Sequence, residues 1–256
     1  MIDFFQATAD KLGSLNKTER QLFEYVVKNM AQVKGLSIQK FAAGQFLSTT
    51  TIFRFTQKLG FSGYADFINS LLVTSHSQSD ATLPDVIIGG SYSEMYLKNV
   101  MESVRVMPPA FVEKVINVLR RHPNIYILTD DNTFAIGQYS ERLFIGLGMR
   151  AYFPETAYQL QNLVNHIRSS DMIIALSYSG ENRRLIDFIE RVYLKERPFL
   201  MSITRADNNP LEGLSDANFY VFADEICLQD VDLTSSVPML MVLEMLIYEY
   251  AKITHG

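Results

Sequence analysis

The second part of the chain alternates between two kinds of segment, and this alternation limits the fold more than any other feature. Short runs rich in β-branched and aromatic residues at 125–128, 151–153, 172–176, 199–203 and 219–222 are separated by amphipathic segments at 133–146, 156–167, 182–195 and 233–253. A strand, a helix and a further strand close a right-handed crossover, so repeated units build a mostly parallel sheet covered by helices on both faces. Sheets of this kind bind ligands beyond the carboxyl ends of their strands.

The first part reads as helices only. Leu22, Phe23, Val26, Val27 and Met30 recur at helical spacing behind Asn16 and Glu19, which stand in the N-cap and N3 relationship. Ser37 opens a short helix through Phe41 and Ala42, and Ser48 caps another that runs from Thr49 to Leu59 and stops at Gly60. Helical spacing resumes at 64–73, 92–106 and 110–121. The stretch 74–93 between them, rich in Ser, Thr, Asp, Gly and Pro, reads as a linker.

Two short helices across a tight turn have the layout of a helix-turn-helix. Ile52, Phe55 and Leu59 would form the buried back of the second helix. Its outer side then offers Ser48, Thr49, Thr50, Thr51, Arg54 and Lys58, short hydroxyls and cations suited to phosphate oxygens and base edges in a major groove. The plainer alternative is that Ser48 only caps and the cations only meet solvent.

Charge supports the division. The net charge of −5 argues against a nucleic-acid partner only until it is split, because residues 1–75 carry eight Lys or Arg against five acids, +3, and the remainder carries −8. The single cysteine, Cys227, excludes an intrachain disulfide, and the start of the chain lacks the basic-then-apolar order of a secretory signal, so a cytoplasmic location is expected. Apolar runs such as 239–243 are far shorter than the roughly 20 residues of a membrane span. No membrane role is expected.

In the alternating part, the apolar run Ile173-Ile174-Ala175-Leu176 passes into Ser177-Tyr178-Ser179-Gly180-Glu181-Asn182, the start of a helix. Free N–H groups at that start and the hydroxyls of Ser177 and Ser179 can converge on an anion, while Gly180 lets the backbone approach closely. The alternative is an ordinary strand-to-helix turn in which the serines cap.

With SIQ, a small-residue turn, S, TI, RF and KLGF in the first segment and SYSGE then ITR in the second, the chain resembles the RpiR/MurR family of bacterial regulators. The resemblance covers nearly the whole sequence. It implies an all-α helix-turn-helix domain at 1–75, a linker at 76–91 and an α/β sugar isomerase (SIS) domain at 92–256, a flavodoxin-like parallel sheet sandwiched by helices. It further implies operator DNA and a phosphorylated sugar effector as partners, with a homodimer or homotetramer as the assembly. Carried over residue by residue, Ser177, Ser179 and Gly180 match the family's phosphate loop, and Asn182 stands where threonine is usual. The family's second ligand loop, Gly-x-Gly-x-Ser, falls on Thr129-Asp130-Asp131-Asn132-Thr133. Both glycines are replaced and only the Thr133 hydroxyl remains. Ser235 lies in Thr234-Ser235-Ser236, where the family often has a Ser-Arg pair, so an expected cation is absent there. Phe46 stands at a turn position where glycine is common, which implies a turn of different shape.

SIS domains also occur in isomerases, for which His166, Glu181 and Glu225 are the available acid–base groups, but none stands out, and Glu181 begins a helix where its charge favours the dipole in any case. No catalytic residue is assigned, and the expectation is a regulator rather than an enzyme. His76, His122, His166 and His255 are scattered, and Asp224, Glu225, Asp230 and Asp232 lack an EF-hand order, so neither a metal nor a cofactor is expected. A third reading is a ligand-independent regulator whose SIS domain only dimerises.

Overall fold

A computed structural model describes residues 4–76, 91–229 and 231–255. Contacts divide the chain into two compact units, Met1–Lys98 with Ala206–Asn208, and Asn99–Arg205 with Asn209–Gly256. The expected linker at 76–91 falls almost wholly outside the described residues.

The first unit is helical: α1 (Phe4–Thr8), α2 (Lys17–Lys28), α3 (Met30–Val33), α4 (Ile38–Gly44), α5 (Thr49–Lys58) and α6 (Tyr64–His76), with α7 (Ser91–Arg105) following. Its core is aromatic. Phe4, Phe23, Phe41, Phe55 and Phe67 are fully buried, and the Phe4 ring stacks on Phe23 at 5.5 Å between centroids. Local chemistry sets the helix starts: Asn16 and Glu19 form the full capping box of α2, Ser37 accepts from Lys40 N to open α4, and Ser48 accepts from Thr51 N to open α5.

The two helices of the expected helix-turn-helix end alike. After α4, Phe46 N donates to Ala43 O at 3.2 Å and Leu47 N to Ala42 O at 2.9 Å; after α5, Gly60 N donates to Gln57 O at 2.9 Å and Phe61 N to Thr56 O at 3.1 Å. Both are Schellman closures, which place one residue in the left-handed region. Gly60 takes it at φ 96°, where glycine has no penalty, but Phe46 takes it at φ 54°. A side chain with Cβ at such a φ costs roughly 1–2 kcal/mol. The turn therefore keeps its regular shape despite the missing glycine, contrary to expectation, because the two backbone bonds fix the geometry.

The second unit holds α8 (Pro109–Leu119), β1 (Asn124–Thr129), α9 (Phe134–Gly146), β2 (Arg150–Tyr152), α10 (Ala157–Leu163), β3 (Met172–Leu176), α11 (Arg183–Tyr193), β4 (Phe199–Arg205), α12 (Pro210–Leu214), β5 (Ala217–Val221), the short pair β6 (Cys227–Leu228) and β7 (Val231–Asp232), and α13 (Val237–His255). The five-stranded sheet has the order β2-β1-β3-β4-β5 with every pairing parallel, the flavodoxin-like order. All of β3 is buried, and alternate side chains go to opposite cores: Met172, Ile174 and Leu176 join α8, α9 and α13, while Ile173 and Ala175 join α10 and α11. The antiparallel β6–β7 hairpin lies between β5 and α13, and α12 lies between β4 and β5, at places where the sequence marks no element.

Candidate functional site

In the order 2-1-3-4-5 the chain leaves β1 toward one edge of the sheet and β3 toward the other, which opens a crevice beyond the carboxyl ends of those two strands. Thr129 of β1 and Leu176 of β3 are paired at that end. The loops that follow them are the two singled out in the sequence, brought side by side by topology.

Thr133 joins the loops. Its buried hydroxyl donates toward Leu176 O at 2.7 Å and toward Asp130 Oδ1 at 2.8 Å, and its N–H donates to Asp130 Oδ1 at 3.1 Å. Asp130 thus turns its charge onto its own loop. Thr133→Val, which leaves the Leu176 carbonyl and Asp130 short of a donor, is expected to cost about 1–3 kcal/mol of stability. Urea unfolding followed by circular dichroism measures this, and an unchanged midpoint would remove the hydroxyl from any bridging role.

The serine turn is closed on itself as well. Ser177 is buried, and its Oγ accepts from Gly180 N at 3.2 Å; Ser179 Oγ accepts from Glu181 N at 3.2 Å; Asn182 Oδ1 accepts from Arg184 N at 3.0 Å and Leu185 N at 3.3 Å. Gly180 has φ 65°, and a Cβ on it would meet Asn209 Oδ1 at 2.1 Å, so this turn admits no side chain as it stands. The N–H groups of Gly180, Glu181, Arg184 and Leu185 are thus held by side-chain oxygens that an anion can replace.

Near these loops lies a cleft of about 20 Å³ lined by Asn132, Thr133, Tyr178, Asp232, Thr234, Ser235 and Ser236 over Val221 and Met239. That is room for about one water molecule. Thr133 and Ser235 are the two sequence-named ligand residues in this lining. Ser235 Oγ accepts from Val237 N at 3.2 Å and so caps α13. Asn132, Tyr178 and Asp232 are not among the ligand residues named from the sequence. Tyr178 stands between the two serines, and its hydroxyl donates to Ala223 O at 2.9 Å, spanning from β3 to the end of β5. Asn132 Nδ2 donates to Asp232 Oδ2 at 2.8 Å. Hydrogen bonds from the Thr234 hydroxyl first, then from its N–H, with a smaller part from Asn132, hold the Asp232 carboxyl below its ordinary range, so the cleft rim is negative.

Charge of the other sign is near the turn. Arg183 and Arg184 begin α11, exposed and without an ion pair among the described residues. Cations there oppose the helix dipole. Arg205 is engaged differently, with Nη1 at 2.6 Å from Glu225 Oε1.

In the helical unit, Ser48, Thr49, Thr50, Thr51, Arg54 and Lys58 come together on and before α5, whose back (Ile52, Phe55, Leu59) is buried. They differ in freedom. Ser48 Oγ lies 2.9 Å from Thr51 Oγ1, Thr49 and Thr50 are exposed, and Arg54 is exposed with no ion pair among the described residues. Lys58 Nζ is tied to Glu19 Oε2 at 2.6 Å. Among the described residues, no group of three His, Cys, Asp or Glu side chains is placed to hold a metal ion, and no helix is long and apolar enough to cross a membrane.

Residues 6–78 match the model of the helix-turn-helix domain of the rpiR family, and residues 118–249 match that of the SIS domain. The chain is an RpiR-family regulator with a SIS domain. The HTH-type transcriptional regulator GlvR of Bacillus subtilis is 24% identical over 93% of this chain and 91% of its own length. HexR of Pseudomonas aeruginosa, also an HTH-type transcriptional regulator, is 19% identical over 96% of this chain and 88% of its own length. Among solved structures, the Vibrio vulnificus NanR protein complexed with ManNAc-6P superposes with a TM-score of 0.58 at 19% identity, covering 98% of this chain and 93% of that one. At such identity the likeness establishes the fold. As in other RpiR-family proteins, the helix-turn-helix match places α4 and α5 in a DNA-binding domain of a transcription regulator.

Proposed function

We propose that this RpiR-family protein is a cytoplasmic regulator of sugar or aminosugar metabolism whose SIS domain, residues 92–256, senses a phosphorylated sugar and alters operator binding by the domain at 1–75. The observation that carries the reading is the serine turn after β3, set at the switch point with the N–H groups of Gly180, Glu181, Arg184 and Leu185 held by side-chain oxygens. A phosphate takes the N–H groups now held by Ser179 and Asn182, and the Ser177 and Ser179 hydroxyls turn to donate to it. Arg183 and Arg184 supply the positive charge that the segment around Ser235 lacks. The sugar end lies toward Thr133, Asn132 and Ser235, where Asp130 and Asp232 accept from hydroxyls.

The cleft must widen to admit a sugar, and binding to the opened form shifts the population toward it. In a dimer joined through SIS domains, two copies of α5 face successive half-sites, and their spacing changes with that shift. NanR binds ManNAc-6P according to its structure; hexose, pentose and N-acetylhexosamine phosphates are the panel to test here. One of them is expected to raise Tm at millimolar concentration and to change the gel-shift affinity of the full chain for a selected duplex. Ser179→Ala is expected to remove that response with duplex affinity unchanged. If the whole panel leaves both Tm and affinity unmoved, sensing of a phosphosugar is wrong and the ligand-independent regulator remains.

A further inference from the structure

We infer that Phe46 is a DNA-contacting, specificity-determining residue, whose ring meets the C5-methyl of a thymine at the edge of the major groove. The inference rests on the DNA-binding role of α5.

Phe46 is 97% exposed, the most exposed large apolar side chain among the described residues. It packs on nothing that would explain a phenyl group. Nor does the backbone explain it, because φ is 54° and the same closure after α5 uses Gly60. The residue is thus unfavourable to the isolated domain twice over, by left-handed strain and by apolar surface left in water. Both disadvantages disappear from consideration only if the ring is covered in the working state of the protein.

What covers it follows from its neighbours. Phe46 stands two residues before Ser48, within about 7 Å of chain from the N-cap of α5. The exposed groups that follow it in the chain are the hydroxyls of Ser48, Thr49 and Thr50 and, a turn further on, the Phe53 ring and Arg54, which has no ion pair among the described residues. A protein partner would need a broad apolar surface continuous with Phe46, whereas α5 adds one further ring, Phe53 at 40% exposure, among hydroxyls and a cation that suit phosphates and base edges. A phenyl ring has no donor or acceptor for those edges. The feature of the major groove that it can read is the thymine methyl, absent from every other base pair position.

The test uses the full chain and duplexes selected by it from a random pool. Each thymine of the selected duplex is replaced in turn by deoxyuridine, which removes only the methyl group. The wild type is expected to bind about fivefold more weakly when one particular thymine per half-site is changed. F46A should bind the thymine duplex about as weakly, and should no longer distinguish the two. Retained affinity in F46A, or an affinity loss that does not depend on the methyl, would overturn the assignment.

Two controls keep folding apart from recognition. F46G fits the left-handed backbone and is expected to unfold no earlier than wild type while losing the methyl dependence; earlier unfolding would show that Phe46 serves the fold and would sink the inference. The chain contains no tryptophan, so F46W is a sole reporter at this position, and its emission should be quenched when the selected duplex is added. Emission unchanged under saturating duplex would place the side chain outside the interface. A wild type that selects no duplex at all would instead refute the DNA-binding reading on which this one stands.

Discussion

Gly180→Ala is expected to remove roughly 3–5 kcal/mol of stability from the α/β unit, the sum of left-handed strain and of broken side-chain bonds. The strain arises at φ 65°, and the new Cβ would fall 2.1 Å from Asn209 Oδ1. Asn209 cannot step aside cheaply, because it is buried, its Oδ1 accepts from Glu212 N at 2.9 Å to cap α12, and its Nδ2 donates to Thr204 Oγ1 at 3.1 Å. Set against the 5–15 kcal/mol that typically holds a domain together, about half the total is at stake. Urea unfolding by circular dichroism gives the measurement. Asn209→Ala removes the overlaps with Oδ1 and Cγ, leaves its own Cβ 2.9 Å from the new one and removes the α12 cap, so the double substitution should cost less than the two single ones added. Additive losses would show that the two residues do not collide, and the tight turn that brings Ser177 and Ser179 to the crevice would need another explanation.

The elements that were legible in the sequence are those specified by neighbours in sequence. Asn16 with Glu19, Ser37, Ser48 and Asn182 each announce a helix by bonding an N–H two or three residues on, and β3 announces itself as an apolar run before a turn. The β6 and β7 strands carry two residues each, too few to show an alternating period. The α12 helix had a readable signal in Asn209 followed by Pro210, an N-cap and a first-turn proline, hidden by its brevity.

The site divides the same way. Residue types converging on the crevice could be named from Ser177, Ser179 and Thr133, because alternation implies a parallel sheet and the family resemblance implies which loops carry the ligand. Which way each oxygen faces could not. Thr133 spends its hydroxyl on Leu176, 43 residues away in the chain, and Lys58 meets Glu19 across 39 residues, distances at which no local pattern carries information. Tyr178 enters the cleft because it lies between two serines whose own oxygens turn back onto the loop.

The Lys58 pairing separates the two cations of α5 in a way that binding can read. Arg54→Ala is expected to weaken a selected duplex by about 1–3 kcal/mol if its guanidinium forks onto a base, or more uniformly across sequences, with the salt slope lowered by about one, if it meets a phosphate. Lys58→Ala should do less, because its ammonium is already neutralised by Glu19, and swapping that partner for a phosphate gains only the difference between two charge-assisted bonds. Its effect on folding should also be small, since half-exposed ion pairs contribute about 0–1 kcal/mol. Gel shifts of both variants at several salt concentrations test the ranking. An Arg54→Ala chain that binds like wild type while Lys58→Ala fails would mean that the Glu19 contact breaks on DNA and that α5 enters the groove by its carboxyl-terminal end, reversing the orientation that Ser48, Thr49 and Thr50 imply.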